Sequence, residues 1–413
     1  MILKHRFTLF ALLACLGAAL AGCSGSQDEP QPEDTDPGVK LRLVIDTGNK
    51  QSRADAPDYY EDPDGAFEDI HTLRVIIVKG NINNPDEAEV EANRLVRTTA
   101  TGYPIDDILE FKVSTGSKRI YLVANEATLP VPAAVSYSTA TAFLDSYMEK
   151  TSFSPAILAN WLVSLPGSNP GATQGLYSNA KNPNGLPLTE FFDIVVGASS
   201  DDLQYDETQT VQLFMTRAAA KASFNIVVDQ NYKGAGVNVT GIRLNGLNWQ
   251  QYVFPRNMTY SPEKEAIITP GKTPEVTKVD RYTTSFQTPQ RVNGVTGANV
   301  TMALEQPIPI AANTDKTVGP LYFPESLMPA TLAADPSACF SVQVELDGNG
   351  NWLEAKPLGL DGNNIQLVDG AQAIARNNHI KVTIRFSEAN IITATVQLVP
   401  YVSVPLKPTF GTE

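Results

Sequence analysis

The sequence predicts a mostly β protein built from β-sandwiches with a few short helices. Short apolar runs with strand patterning recur along the chain, and turn residues separate them. Runs of strong helix formers are few, which favours the same class. The chain has 413 residues, of which 42% are hydrophobic, so it is long and apolar enough for two domains with cores of their own.

The first element is a signal peptide ending in a lipobox, Leu20-Ala21-Gly22-Cys23. A short basic start precedes an apolar run over residues 7–20, which has the length of a signal peptide's apolar region and is too short to span a bilayer. We therefore expect residues 1–22 to be removed and Cys23 to carry lipid, as in a bacterial lipoprotein held at the outer membrane. The alternative is an ordinary signal peptide that happens to contain a cysteine.

Cysteine content and charge limit the function classes. Cys15 lies in the signal peptide and Cys23 at the lipid site, so Cys339 alone remains and an internal disulfide in the processed monomer is excluded. The formal net charge is −14. A chain this acidic is a poor partner for nucleic acid or for anionic lipid surfaces.

Residues 24–38 form a polar, proline-containing tether. Its acidic Gln27-Asp28-Glu29 resembles the export signal of Bacteroidetes surface lipoproteins, although a plain solvated linker is the alternative. A half-buried strand follows, with Leu41, Leu43 and Ile45 on one face.

A polar, turn-prone loop over residues 47–57 comes directly after this strand. Such loops are preferred sites of proteolysis. A strand followed at once by a cleavable loop is unusual at the start of an ordinary domain.

From His71 onward the chain reads mostly as strands. The predicted strands cover residues 73–78, 109–113, 119–124, 191–196, 210–215, 222–228, 238–244, 340–346 and 380–386. Residues 347–350 and 361–364 read as hairpin turns because Gly and Asn accept positive φ. One helix is predicted over residues 139–150, and a division between two strand-rich domains falls near residues 216–220.

The usual catalytic signatures are missing from the sequence, so we expect no catalytic, cofactor-binding or metal-binding residues. There is no Gly-x-Ser-x-Gly, His-Glu-x-x-His, Cys-x-x-Cys or phosphate-binding loop. Asp347, Asn349 and Asn351 have the spacing that opens a calcium loop, but Trp352 replaces its glycine and Leu358 its bidentate glutamate. A hairpin is the better interpretation of that segment.

Four segments together carry a resemblance to a known family. They are residues 116–125 (GSKRIYLVAN), 216–224 (TRAAAKASF), 321–326 (LYFPES) and 374–382 (IARNNHIKV). In this order and spacing, behind a lipobox, they resemble the FimA-like fimbrillins of Bacteroidales, particularly shaft subunits of the minor fimbriae. The resemblance spans the chain from the lipobox to about residue 400.

The resemblance implies two tandem transthyretin-like β-sandwich domains and assembly into a surface fimbrium. It implies a signal peptide (1–22), a lipidated tether with a removable N-terminal strand (23–53), an N-terminal domain (54–215), a C-terminal domain (216–389) and a donor-strand segment (390–413). A protease would cut after an arginine, and the exposed groove would accept a strand from the next subunit. The implied partners are other fimbrial subunits, the outer-membrane lipid that holds the precursor through Cys23, and a surface receptor for adhesion.

Several residues of this chain fit that scheme. Arg53-Ala54 is the best-placed arginine bond in the loop, and the strand with Leu41, Leu43 and Ile45 precedes it. Near the C-terminus an alternating strand is expected, whose apolar face is Ile392, Ala394, Val396 and Leu398. Prolines 400, 405 and 408 would limit regular pairing beyond it.

Plainer interpretations stay open at this point. Residues 41–45 read equally as a permanent first strand, Arg53 as a solvated loop residue, and residues 392–398 as the last strand of their own domain. The C-terminus lacks the acidic, proline-rich insert of the shaft pattern, which keeps the anchor and tip roles open. A monomeric glycan-binding lipoprotein would need exposed aromatics, for which the candidates are Trp161, Trp249, Trp352 and the Tyr59-Tyr60 pair.

Overall fold

Strands dominate the described part of the chain, which confirms the predicted mostly β class. The computed structural model describes residues 39–46, 65–80, 88–97, 109–149, 154–167, 172, 174–178, 182–197, 208–230, 232, 236–256, 259–267, 277–285, 298–327, 340–355, 359–360, 363–364, 373–387 and 392–400. Residues 38–413 form one compact unit. Within the described ranges, no helix combines the length and the apolar character needed to cross a bilayer.

The N-terminal part contains nine strands and two short α-helices within these ranges. The strands are β1 (Val39–Asp46), β2 (Thr72–Lys79), β3 (Glu89–Arg97), β4 (Glu110–Val113), β5 (Gly116–Ala124), β6 (Leu162–Ser164), β7 (Leu188–Val196), β8 (Thr208–Phe214) and β9 (Thr216–Arg217). The helices are α1 (Ala140–Asp145) and α2 (Pro155–Ala159), and a 3-10 turn spans Gly65–Glu68.

The C-terminal part contributes the remaining strands. They are β10 (Ala220–Val228), β11 (Gly236–Leu247), β12 (Gln250–Tyr252), β13 (Thr259–Ile267), β14 (Thr277–Ser285), β15 (Ala298–Ala311), β16 (Thr314–Phe323), β17 (Ser326–Leu327), β18 (Ser341–Leu346), β19 (Trp352–Ala355), β20 (Gly359–Leu360), β21 (Asn363–Asn364), β22 (Ala373–Ile374), β23 (Asn378–Phe386) and β24 (Ile392–Pro400).

Two sheets enclose the first core. Sheet I has the order β13-β14-β8-β1-β4 and sheet II the order β3-β2-β5-β7-β9. Apolar residues of β1, β4 and β8 from sheet I pack with those of β2, β5 and β7 from sheet II. We call this pair the first sandwich.

Sheet II is covered on both faces. A separate apolar cluster lies on its other side, where Ile76, Val78, Tyr121 and Val123 pack with residues of the two helices and with Trp161. Every residue of β2 from Leu73 to Val78 is consequently buried, which explains why its sequence does not alternate between apolar and polar residues and has Arg74 as its one charged member there.

The second sandwich is formed by sheet III, in the order β16-β10-β23-β24, and sheet IV, in the order β15-β11-β18-β19. Its core comes mainly from alternating positions of β10, β11, β18 and β23. The hairpin β13–β14 leaves this part of the chain and joins sheet I, where β14 runs parallel to β8. The predicted domain boundaries stay a prediction. The hairpin β13–β14 lies C-terminal to the predicted division near residues 216–220, yet it pairs with sheet I of the N-terminal part.

The structure confirms most of the predicted local elements. Each predicted strand coincides with an observed one, apart from Leu109, Met215 and Phe340 at strand ends. The predicted helix begins after Thr139, whose side chain accepts from the Ala142 amide, and it continues as a 3-10 turn to Glu149. Residues 347–350 do form the turn between β18 and β19, with φ of 59° at Asp347 and 61° at Gly348.

The sequence analysis missed other elements. They include the edge strand β3, the helix α2, the hairpin β13–β14 and the long strands β15 and β16, which lie in different sheets. The signal peptide, the tether, Cys23 and the Arg53-Ala54 bond lie outside the described residues.

Candidate assembly site

The strand β1 lies inside sheet I, between two neighbours. It runs parallel to β8 over seven residue pairs, from Lys40 opposite Thr208 to Asp46 opposite Phe214. On its other side it runs antiparallel to β4 over four pairs, and the Leu43 amide donates to the Leu109 carbonyl at 2.8 Å. We call the space between β4 and β8 that β1 occupies the groove.

The side chains of β1 alternate as the sequence predicts. Val39, Leu41 and Leu43 are 3%, 0% and 4% exposed and belong to the first core, whereas Lys40 is exposed. The side chain of Ile45 lies outside the described part of the structure, although its backbone pairs with Leu213. Burial at every second position is what fixes the register of such a strand.

One ion pair links β1 to the groove wall on the solvent side. Arg42 donates from Nε to Oε1 of Glu110 at 2.8 Å, and both side chains remain partly exposed. The hydrogen bond from Arg42 lowers the pKa of the Glu110 carboxyl below its ordinary value.

The two walls of the groove depend on β1 to different degrees. β8 has a second partner, because Thr210, Val211 and Gln212 face Val279, Asp280 and Arg281 of β14. β4 is the end strand of sheet I, and β1 is its neighbour there. Without β1, β8 would remain supported while its other edge would present unpaired backbone groups.

The predicted donor residues Ile392, Ala394, Val396 and Leu398 lie on β24. That strand is an edge of sheet III and pairs antiparallel with β23 alone in this sheet, from Ile392 opposite Phe386 to Pro400 opposite Asn378. The alternative interpretation, that residues 392–398 are the last strand of their own sandwich, therefore describes the arrangement within this single chain. The contacts of these four side chains lie outside what the structure describes.

Two of the segments that suggested a family, residues 216–224 and 321–326, meet at a second location, which the sequence analysis did not identify as a site. Lys221 Nζ on β10 lies 3.1 Å from Oε1 of Glu68, and the Tyr322 hydroxyl on β16 donates to the same oxygen at 2.5 Å. Arg217 Nη2 lies 3.7 Å from Oε2 of Glu68. We call Glu68, Arg217, Lys221 and Tyr322 the junction cluster; all four are buried.

The fourth segment lies beside the junction cluster. Arg376 donates to the carbonyls of Val253 at 2.8 Å and Tyr252 at 2.6 Å, and it pairs with Glu325 at 2.5 Å. Asn377, at φ 60°, donates its amide to the Ala219 carbonyl. The polar residues of these segments thus cross-link strands within a buried region, which explains basic and acidic residues inside otherwise apolar motifs.

Residues 116–125 end at a structural asparagine. Asn125 has a left-handed φ of 54°, and its amide nitrogen donates to the carbonyls of Asp69 at 2.8 Å and Leu186 at 2.7 Å. Its Oδ1 accepts from the His71 amide at 2.8 Å. Asn tolerates this backbone region better than most residues and here also satisfies three buried backbone groups.

Two of the aromatic residues weighed for glycan binding are core residues, and the Tyr59-Tyr60 pair lies outside the described residues. Trp161 and Trp249 are 0% and 8% exposed. Trp352 is half-buried, and the guanidinium of Arg243 lies over its ring at 4.0 Å. In the described residues, no group of three or more His, Cys, Asp or Glu side chains is arranged to hold a metal ion.

Comparison with known proteins gives matches among solved structures. No family model and no curated protein matches the chain. The tip fimbrial protein Mfa3 from Porphyromonas gingivalis, truncated at its C-terminus, is 15% identical over 88% of this chain and 100% of that one, with a TM-score of 0.44. The fimbrilin FimA from P. gingivalis is 14% identical over 88% and 98%, with a TM-score of 0.43.

These structural neighbours are Bacteroidales fimbrial proteins. A fimbrial assembly protein from Parabacteroides distasonis is a further one, 10% identical over 87% of this chain and 95% of its own, with a TM-score of 0.38. The fimbrial neighbours are thus matched along almost their whole length.

Proposed function

We propose that this chain is a structural subunit of a cell-surface fimbrium and that it polymerises by donor-strand exchange. The observation that carries the proposal is the position of β1. It is an interior strand of sheet I, yet it lies at the N-terminal side of the arginine bond at Arg53-Ala54. A single cut in that loop would separate an interior strand from the rest of the protein and leave the groove open.

An open groove of this kind is a template for another strand. It would present backbone groups of β8 and β4 together with the apolar side chains that now cover Leu41 and Leu43. Each apolar side chain that refills it contributes about 1.5–3 kcal/mol. Edges of this type recruit extended segments from other chains, because main-chain pairing supplies affinity and side-chain pockets supply specificity.

The strand β24 of a neighbouring copy is the proposed occupant. Within its own chain β24 is an edge strand with one partner, whereas a strand in the groove is paired on both sides. Transfer from an edge to an interior position therefore increases backbone pairing. Because the donor and acceptor surfaces differ, the contact is head-to-tail and generates an open filament.

The lipid anchor fits the same order of events. Cys23 would hold the precursor at the outer membrane, and the cut at Arg53 would remove lipid and β1 together, releasing the subunit into the fibre. The fibre would support adhesion, with other fimbrial subunits as partners. The protein has no catalytic role in this account.

A strand-uptake assay tests the proposal. A labelled peptide of residues 390–400 is mixed with a chain that begins at Ala54 and ends after residue 389, and with one that begins at Cys23 and has the same end. Both chains lack β24, so the edge of β23 is open to the peptide in each. We expect the first chain to bind one more equivalent of peptide than the second, since β1 fills the groove of the second chain. A peptide carrying Val396→Lys should not bind, and a peptide of residues 38–50 should compete. Equal uptake by both chains would overturn the proposal.

An anchor subunit is the second candidate within the same class. The pairing of β1 with both β4 and β8 favours the anchor role, because removing a strand that is paired on both sides costs stability. An anchor would keep Cys23, its lipid and β1, and would occupy the base of the fibre. Retention of β1 in the assembled protein distinguishes it from a shaft subunit.

A further inference from the structure

The 3-10 turn Gly65–Glu68 joins the two sandwiches near the start of the described chain. Glu68 is fully buried, and its Oε1 accepts from Lys221 at 3.1 Å and from the Tyr322 hydroxyl at 2.5 Å. Lys221 and Tyr322 face each other across β10 and β16 of the second sandwich. A carboxylate from the N-terminal part is therefore the common acceptor for two strands of the C-terminal part.

Phe67 adds an apolar contact to the same place. Its ring packs edge-on against that of Tyr322, with centroids 5.3 Å apart. Its carbonyl accepts from the Leu186 amide at 2.7 Å, which ties the turn to the segment before β7. The turn is thus held by a buried ion pair, a ring contact and a backbone hydrogen bond at once.

The contacts of the turn are separate from those of β1. Phe67 belongs to the cluster that covers the outer face of sheet II, whereas Val39, Leu41 and Leu43 pack on the inner face of that sheet. Glu68 pairs with the second sandwich, and the described β1 contacts are to sheet I and the first core. Loss of β1 would therefore remove none of the contacts described for the turn.

We propose that Phe67 and Glu68 form a clamp that fixes the start of the processed chain to the second sandwich, so that removing β1 opens the groove without loosening the junction. The inference rests on the proposed function only in that the chain is cut at Arg53-Ala54. Its physical basis is the cost of an uncompensated buried charge: with Glu68 neutral, Lys221 and Arg217 lose their shared carboxylate. In a fibre, the clamp would keep acceptor groove and donor strand in one rigid subunit.

Hydrogen exchange on a chain that begins at Ala54 tests the clamp. We expect amides at residues 65–70, 220–224 and 321–323 to exchange within about twofold of their rates in the chain that begins at Cys23, while those of β4 and β8 exchange much faster. Glu68→Gln should speed exchange at the junction by at least about tenfold. Glu89→Gln is the control, because it removes a surface ion pair with Lys79 at 3.3 Å and should leave the junction unchanged.

Two results would overturn the clamp. The first is that, in the chain that begins at Ala54, the junction amides lose as much protection as the amides of β4 and β8. The other is identical junction exchange in Glu68→Gln and Glu89→Gln. If Glu68→Gln does not fold, Tyr322→Phe removes one hydrogen bond from the same carboxylate and should show a smaller increase at the same amides; no increase would also count against the clamp. If the chain that begins at Ala54 keeps its junction protected but does not take up the peptide, the proposed function is rejected and the clamp is not.

Discussion

Arg42 on β1 and Glu110 on β4 form an ion pair across the edge of the groove, with Nε 2.8 Å from Oε1. Arg42 faces outward while its neighbours Leu41 and Leu43 are buried in the first core. The strand is therefore held by apolar burial on one face and by a charge pair on the other. The first two predictions separate these contributions.

The charge pair should make retention of β1 sensitive to acid. The pKa of Glu110 is lowered by the hydrogen bond from Arg42, so its stabilising contribution is complete above the ordinary value of 4.5 and is lost as the pH falls through the lowered value. A labelled peptide of residues 38–50, bound to the chain that begins at Ala54, reports this by its dissociation rate. Glu110→Gln should release the peptide faster at neutral pH and should match the unmodified chain well below pH 4.5. A constant difference across this range would contradict the role of the pair.

Burial should dominate the stability that β1 confers. Leu41 is fully buried, so Leu41→Ala should lower the free energy of unfolding of the chain that begins at Cys23 by about 2–5 kcal/mol. Lys40→Ala, one position away on the exposed face, should change it by less than about 0.5 kcal/mol. Denaturant unfolding measures both. Similar effects of the two substitutions would mean that β1 does not pack as described.

The buried ion network around Arg74 in sheet II should contribute more to the free energy of unfolding than a surface ion pair of similar geometry does. Arg74 is fully buried and contacts Glu126 through two hydrogen bonds of 2.6 and 2.8 Å. Glu126→Gln should cost about 1–3 kcal/mol, because the buried guanidinium loses one charged partner while Asp145, 2.7 Å away, remains. The matched control is Asp193→Asn, since Asp193 makes a comparable two-bond pair with Arg119 but is 56% exposed. That change should cost no more than about 1 kcal/mol in the same unfolding assay.

Truncation of the C-terminus should show whether β24 is needed for fibre assembly without being needed for folding. A chain ending after Val399 keeps all of β24 except its final residue and should form fibres after processing. A chain ending before Asn390 lacks β24 and should remain monomeric, although its first core is untouched. Electron microscopy of the processed proteins measures assembly, and circular dichroism checks that both chains fold. Normal fibres from the shorter chain would contradict the assignment of β24 as donor.

Local pattern made much of this fold predictable. The predicted alternation matches the observed burial at residues 41–43 and 222–228, and the Asp347-Gly348 turn follows from residues that accept positive φ. The helix after Thr139 was predicted from the spacing of Phe143 and Tyr147, whose rings do pack together at 5.1 Å. These features depend on neighbours within a few residues, which a sequence displays directly.

Long-range pairing was not predictable in the same way. Nothing in β14 indicates that it joins sheet I beside β8, and Glu68 finds Tyr322 across 254 positions of sequence. The motif residues Lys221 and Tyr322 share a carboxylate partner, Glu68, which lies outside every motif. Such partners become visible only when the sheets are assembled.

The central claim is that assembled subunits have lost β1, and the N-terminal residue and intact mass of the protein sheared from native cells test it most directly. The account predicts a chain that begins at Ala54 and carries no lipid. A chain that begins at lipidated Cys23 would contradict it, because β1 would then still occupy the groove.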